Sequence, residues 1–175
     1  QKEYKEDLSL PFIFPRLLLD YNTIKPGLYF YSSDPLDKYY LFGGGSLNNI
    51  NDLDLFLLFE LRRYKPTLYA NFFWVTRNIN RKSEFESVDG QIYDNLEFSS
   101  DDTYMMFSSD LGAKIPFKGH KFSLQYNYSK YRAHSIGYTR HFHNNQLQAS
   151  YPFDISYDYF RGHKVTISYN LKNVS

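Results

Sequence analysis

The chain has no cysteine. That excludes a disulfide scaffold, a thiolate zinc site, an iron–sulfur cluster and a cysteine nucleophile. It has no charge of one sign to spare either: 20 Lys and Arg stand against 19 Asp and Glu, a net charge of +1. A nucleic-acid binder normally carries a basic stripe or patch, so nucleic acid is not an expected partner. No apolar run approaches the about 18 residues of a membrane helix. Residues 1–9 are charged and lack the apolar stretch of a secretory signal. Either a signal has been removed or the chain begins inside a larger protein. No segment shows the 3.6-residue period of an amphipathic helix. What is abundant, within 175 residues, is aromatic: 18 Tyr, 16 Phe and a single Trp make 20% of the chain. Such residues favour strands and membrane–water interfaces.

The dominant period is two, which puts residues i, i+2 and i+4 on one face of a strand. Residues 121–130 are the cleanest case. Phe122, Leu124, Tyr126 and Tyr128 oppose Lys121, Ser123, Gln125, Asn127 and Ser129. Residues 165–171 repeat it, with Val165, Ile167, Tyr169 and Leu171 against Thr166, Ser168 and Asn170. In 103–117, Phe107, Leu111, Ala113 and Ile115 oppose Tyr104, Ser108, Asp110 and Lys114. Residues 52–62 carry the apolar row Leu53, Leu55, Leu57, Phe59 and Leu61; the opposite row includes Asp52, Asp54, Glu60 and Arg62. Residues 67–77 place Leu68, Ala70, Phe72 and Trp74 against Tyr69, Asn71, Phe73 and Arg77. Weaker strands are predicted over 10–20, 27–33, 38–48, 91–99, 134–142, 145–151 and 154–159.

Turn chemistry marks short connections at 48–52, 63–66, 116–119 and Arg161-Gly162. Longer polar loops are expected over 78–90 and near 143–146. Residues 1–9 read as a linker or the tail of an upstream region, and 10–175 as one β domain.

A β-sandwich, a small soluble barrel and a transmembrane barrel all produce this alternation. Two features favour the last. Several segments reach the about 9–11 residues that a tilted membrane strand needs. The apolar rows also end near aromatics, as the girdles of outer-membrane barrels do. The expected fold is an all-β, antiparallel, up-and-down transmembrane β-barrel of about eight to ten strands, complete or part of a larger barrel. Its lipid-facing residues would be Leu55, Leu57, Phe59, Leu68, Phe72, Trp74, Phe107, Leu111, Phe122, Leu124, Tyr126, Val165, Ile167 and Tyr169. Its lumen-facing residues would be Glu60, Arg62, Asn71, Asp110, Lys114, Gln125 and Asn127.

Residues 11–78 also carry ordered landmarks: Lys25-Pro26-Gly27-Leu28, Ser33-Asp34-Pro35-Leu36, Gly43-Gly44-Gly45, Asp52-Leu53-Asp54 and Tyr64-Lys65-Pro66-Thr67. In this order the segment resembles the opening of the barrel domain in bacterial surface-antigen proteins. Those are outer-membrane assembly and secretion barrels, which in some members follow a Tol-type β-propeller. The resemblance implies a non-enzymatic membrane anchor or a translocation or assembly barrel in the bacterial outer membrane. Its partners would be the lipid bilayer and, with it, other subunits of an outer-membrane complex or an upstream propeller. The family's Arg-Gly-aromatic motif is matched imperfectly by Phe160-Arg161-Gly162-His163. That stretch reads first as an ordinary turn with Gly at positive φ.

No catalytic residue, metal or cofactor is expected. His141 and His143 share a strand face, but a third ligand at convincing spacing is missing. His134 and Ser135 are adjacent and would point to opposite sides. Asp52 and Asp54 read as members of a solvated turn, and Gly43-Gly44-Gly45 as a kink or close-packing site. The competing function is a soluble lipocalin-like barrel binding a small apolar ligand, with Phe122, Leu124, Val165 and Ile167 turned inward.

Overall fold

The two-residue period is realised along almost the whole chain. A computed structural model describes residues 9–20, 23–89, 92–117 and 119–171. Eight strands form one antiparallel sheet in chain order: β1 (Phe12–Asp20), β2 (Thr23–Ser33), β3 (Tyr39–Leu47), β4 (Leu53–Leu61), β5 (Thr67–Asp89), β6 (Ile92–Phe117), β7 (His120–His143) and β8 (Gln146–Leu171). Each strand pairs with its sequence neighbours, which makes an up-and-down meander. One sheet rather than two rules out the sandwich among the described residues. The sheet is not closed: β1 and β8 are its edges and make no contact with each other.

The strands fall into two sets. β1 to β4 run 9, 11, 9 and 9 residues. β5 to β8 run 23, 26, 24 and 26 residues. At about 3.4 Å per residue the longer set spans roughly 80–90 Å. β4 pairs with β5 only from Leu61↔Leu68 to Asp54↔Val75. Beyond Val75 the sheet continues as four strands alone.

Several expected connections are therefore strand. The polar stretch 78–89 continues β5 and pairs with 92–103 of β6, down to Asp89↔Ile92. It was expected as a loop because its side chains are polar on both faces. Backbone ladders nevertheless satisfy its polar groups, and only residues 90–91 at the tip fall outside the described set. Likewise 145–151, 154–159 and 165–171 are one strand, β8. Phe160-Arg161-Gly162-His163 lies inside it, so neither a turn nor a lumen loop forms there. Gly162 pairs with Ser129, and Gly119 is the described glycine with positive φ. A bulge between Tyr131 and Arg132 lets β7 and β8 stay paired past this point.

The other short turns hold. β3 and β4 join through 48–52, where Asn48 Oδ1 accepts from Asp52 N at 2.8 Å and Ile50 N at 3.1 Å. β4 and β5 join through 62–66. Lys118 of the 116–119 turn, like residues 1–8 of the expected linker, lies outside the described residues. The longer loop expected near 143–146 is instead a two-residue turn: Asn144 and Asn145, with φ of 47° and 60°, turn β7 into β8. Positive φ at both positions is the signature of a tight type I′ hairpin turn.

Candidate functional site

Register fixes which side chains share a face, because directly paired residues in an antiparallel ladder point the same way. The row Gly45–Leu55–Trp74–Phe107 crosses β3 to β6 on one face. Leu57–Phe72, Ala70–Leu111–Tyr126–Val165, Ala113–Leu124–Ile167 and Ile115–Phe122–Tyr169 belong to the same face. Phe59 pairs with Ala70, and Leu61 with Leu68. β1 and β2 add Ile13, Leu17, Leu19, Ile24, Leu28 and Phe30. Every residue expected to meet lipid thus lies on this one apolar face.

The apolar face is uncovered. Ile167 is 78% exposed, Leu124 53% and Trp74 44%. It forms a band of limited height: Leu68–Trp74 on β5, Phe107–Ile115 on β6, Phe122–Tyr128 on β7 and His163–Tyr169 on β8. Seven to nine residues span about 24–31 Å along a strand. Aromatic and His groups mark both margins. At one, His120 Nδ1 lies 2.7 Å from the Tyr169 hydroxyl, and Phe122 packs on Tyr169. At the other, His163 Nδ1 lies 2.7 Å from the Tyr126 hydroxyl and its ring packs on Tyr128. The three glycines of β3 have a packing role. A Cβ at Gly43 would strike the Phe30 ring, and one at Gly45 the Leu55 side chain. Beside them opens a cleft of about 640 Å³ lined by Leu28, Leu55, Leu57, Phe72, Trp74 and Phe107.

The opposite face holds the expected lumen set: Glu60, Arg62, Asn71, Asp110, Lys114, Gln125 and Asn127. Register carries Asn71–Asp110–Asn127 and Glu60–Tyr69–Gly112–Gln125 across it. Asn127 Nδ2 donates to Asp110 Oδ1 at 2.7 Å and to Ser108 Oγ at 3.2 Å. Glu60 takes Arg62 at 2.7 Å and Lys114 at 3.0 Å. A recess of about 1170 Å³ lies around these three, with Lys65, Thr67 and Lys121 also on its wall.

Asp52 and Asp54 correct the solvated-turn expectation. Both are buried on this face against Lys25, whose side chain is 0% exposed. Lys25 Nζ lies 3.3 Å from Asp54 Oδ2 and 3.5 Å from Asp52 Oδ2. Arg77 Nη2 reaches Asp54 Oδ1 at 2.9 Å, and the Asn78 amide donates to Asp52 Oδ1 at 2.6 Å. A charge this covered needs partners of this kind. Lys25 was missed because its partners lie 27 and 29 residues farther along the chain. The Lys25-Pro26-Gly27 landmark was the one available signal.

This face is also partly aromatic near β1. Phe14, Tyr29, Phe42 and Phe56 pack at 5.1 to 5.9 Å, and the Arg16 guanidinium lies 5.2 Å over Tyr29 and 5.7 Å over Phe56. Arg16 Nε and Nη1 are buried without a hydrogen-bond partner among the described residues.

Burial in this sheet is polar and exposure apolar. Among the described residues, Ala133 is the one buried hydrophobic side chain, whereas Lys25, Asp34, Asp52, Asp54 and Asp102 are buried. Comparison with protein families, curated proteins and solved structures returns no match.

No group of three or more metal-binding side chains gathers among the described residues. His141 and His143 lie at the end of β7. His134 and Ser135 point to opposite faces: His134 Nε2 meets Asp154 Oδ1 at 2.8 Å, while the Ser135 hydroxyl donates to Asp102.

Proposed function

We propose that this sheet is the wall of a β-barrel in a bacterial outer membrane, acting as an anchor or as a translocation or assembly barrel without enzymatic activity. One observation carries the reading: a continuous apolar face is exposed while charges are buried on the other. In water that face would be costly, since burying apolar area gains about 25 cal/mol per Å². Against acyl chains it costs nothing. The band's length agrees with the about 25 Å apolar belt of such barrels. The connections 34–38 and 62–66 share one end, and the β5–β6 and β7–β8 hairpins project from the other, beyond the short turn 48–52. Outer-membrane barrels have short periplasmic turns and longer extracellular loops.

In hydrocarbon, unpaired backbone groups cost several kcal/mol each. The edges β1 and β8 must then be paired in the membrane, with each other or with other strands. A lipocalin-like barrel would need Phe122, Leu124, Val165 and Ile167 inside a core. All four are exposed.

The test is heat-modifiable mobility after detergent extraction from membranes. The expected result is a detergent-dependent protein whose SDS-gel band shifts on boiling. A monodisperse protein soluble without detergent would overturn the reading.

A further inference from the structure

At the far margin of the apolar face the outward residues change from aromatic to basic within one ladder step. The row Tyr128–His163 is followed by Lys130–Arg161 and then Arg132–Asp158. Lys130 shares its row with Phe107 and Trp74, so all three cations lie on the apolar face's side of the sheet. Lys130 Nζ lies 3.1 Å from Asp158 Oδ2, and Arg161 Nη2 lies 2.7 Å from the same oxygen. Hydrogen bonds from Lys130, then Arg161, hold the Asp158 carboxyl below its usual range. Two cations contact the one carboxylate and Arg132 lies opposite it in the ladder, an excess of two positive charges. Farther out, His134 is taken by Asp154.

A basic cluster directly above an aromatic margin, facing away from the sheet, sits where lipid headgroups would lie. We infer that Lys130, Arg132 and Arg161 form a binding site for the phosphate of an anionic lipid, holding the headgroup while its chains lie along Trp74, Phe107 and Tyr128. This rests on the membrane reading above. Guanidinium and ammonium donors suit phosphate oxygens. Each cation near a bilayer surface favours anionic lipid by about fivefold at low ionic strength.

Trp74, the single tryptophan, supplies the probe. It is two strands from Lys130 in the same row, about 10 Å. The protein is inserted into phosphatidylcholine vesicles containing phosphatidic acid, with brominated chains on one lipid at a time. Trp74 quenching by brominated phosphatidic acid should exceed that lipid's share of the bilayer. Lys130→Gln/Arg132→Gln/Arg161→Gln should abolish the excess and leave quenching by brominated phosphatidylcholine intact. The charge-preserving Lys130→Arg/Arg161→Lys and the distant Lys82→Gln should both keep it. Absence of an excess in the wild type, or its survival in the triple variant, overturns the site. Reversal by millimolar inorganic phosphate overturns the assignment to lipid. If no brominated lipid quenches Trp74, it is the membrane reading that fails.

Discussion

At the scale of single residues, neighbours on β7 have opposite environments. Leu124 and Gln125 differ by one position but lie on opposite faces. On the membrane reading, Leu124→Arg should weaken insertion by about 2–4 kcal/mol, the cost of a basic side chain in the midplane of a barrel's lipid face. Gln125→Arg should insert normally. The measurement is the folded fraction in vesicles across a urea series; equal effects of the two variants would contradict the assignment. This contrast was legible in the sequence because strict alternation leaves no other choice of face. The pairing of Lys25 with Asp52 and Asp54 was not. Alternation says which side a residue takes, whereas an ion pair across three strands depends on register, which turn residues alone do not fix.

At the scale of elements, β3 and its neighbours show how little room the shorter set leaves. A Cβ at Gly27 would collide with the Gly45 carbonyl oxygen and Ser46 Cα, both backbone. At Gly45 the obstacle is the Leu55 side chain, which can turn aside. Gly27→Ala should therefore lower the thermal midpoint in detergent clearly more than Gly45→Ala does. Similar losses would mean the ladder can shift at Gly27. Close packing at the glycine run was readable from composition, since three successive glycines in a strand imply close approach. The long strands were not. Residues 78–89 lack an apolar face over much of their length, and Pro152, which cannot donate to a ladder, parts 145–151 from 154–159, so segments that the backbone runs together did not read as one strand. Arg161-Gly162 misled for a related reason: glycine inside a strand has the same signature as a turn until the pairing with Ser129 is known.

At the scale of the whole molecule, the sheet divides into a banded part of eight strands and an extension of four. An intact bilayer should shield the first from protease and leave the second open. Limited proteolysis of the inserted protein should cut first near the exposed Asn144-Asn145 turn, where loop tips are preferred sites. It should spare Leu53–Trp74. Mass spectrometry of the retained fragments checks this, and early cleavage within Leu53–Trp74 would contradict the division. Unequal strand length also has a mechanical meaning. Hydrogen bonds in this ladder run perpendicular to the strands. A pull on the tip of the extension is directed along β7 and β8, so it loads many rungs together in shear instead of peeling them one by one. The tall half of the sheet is a mast stepped in its base, stiffest along the line that joins the tip to the apolar band.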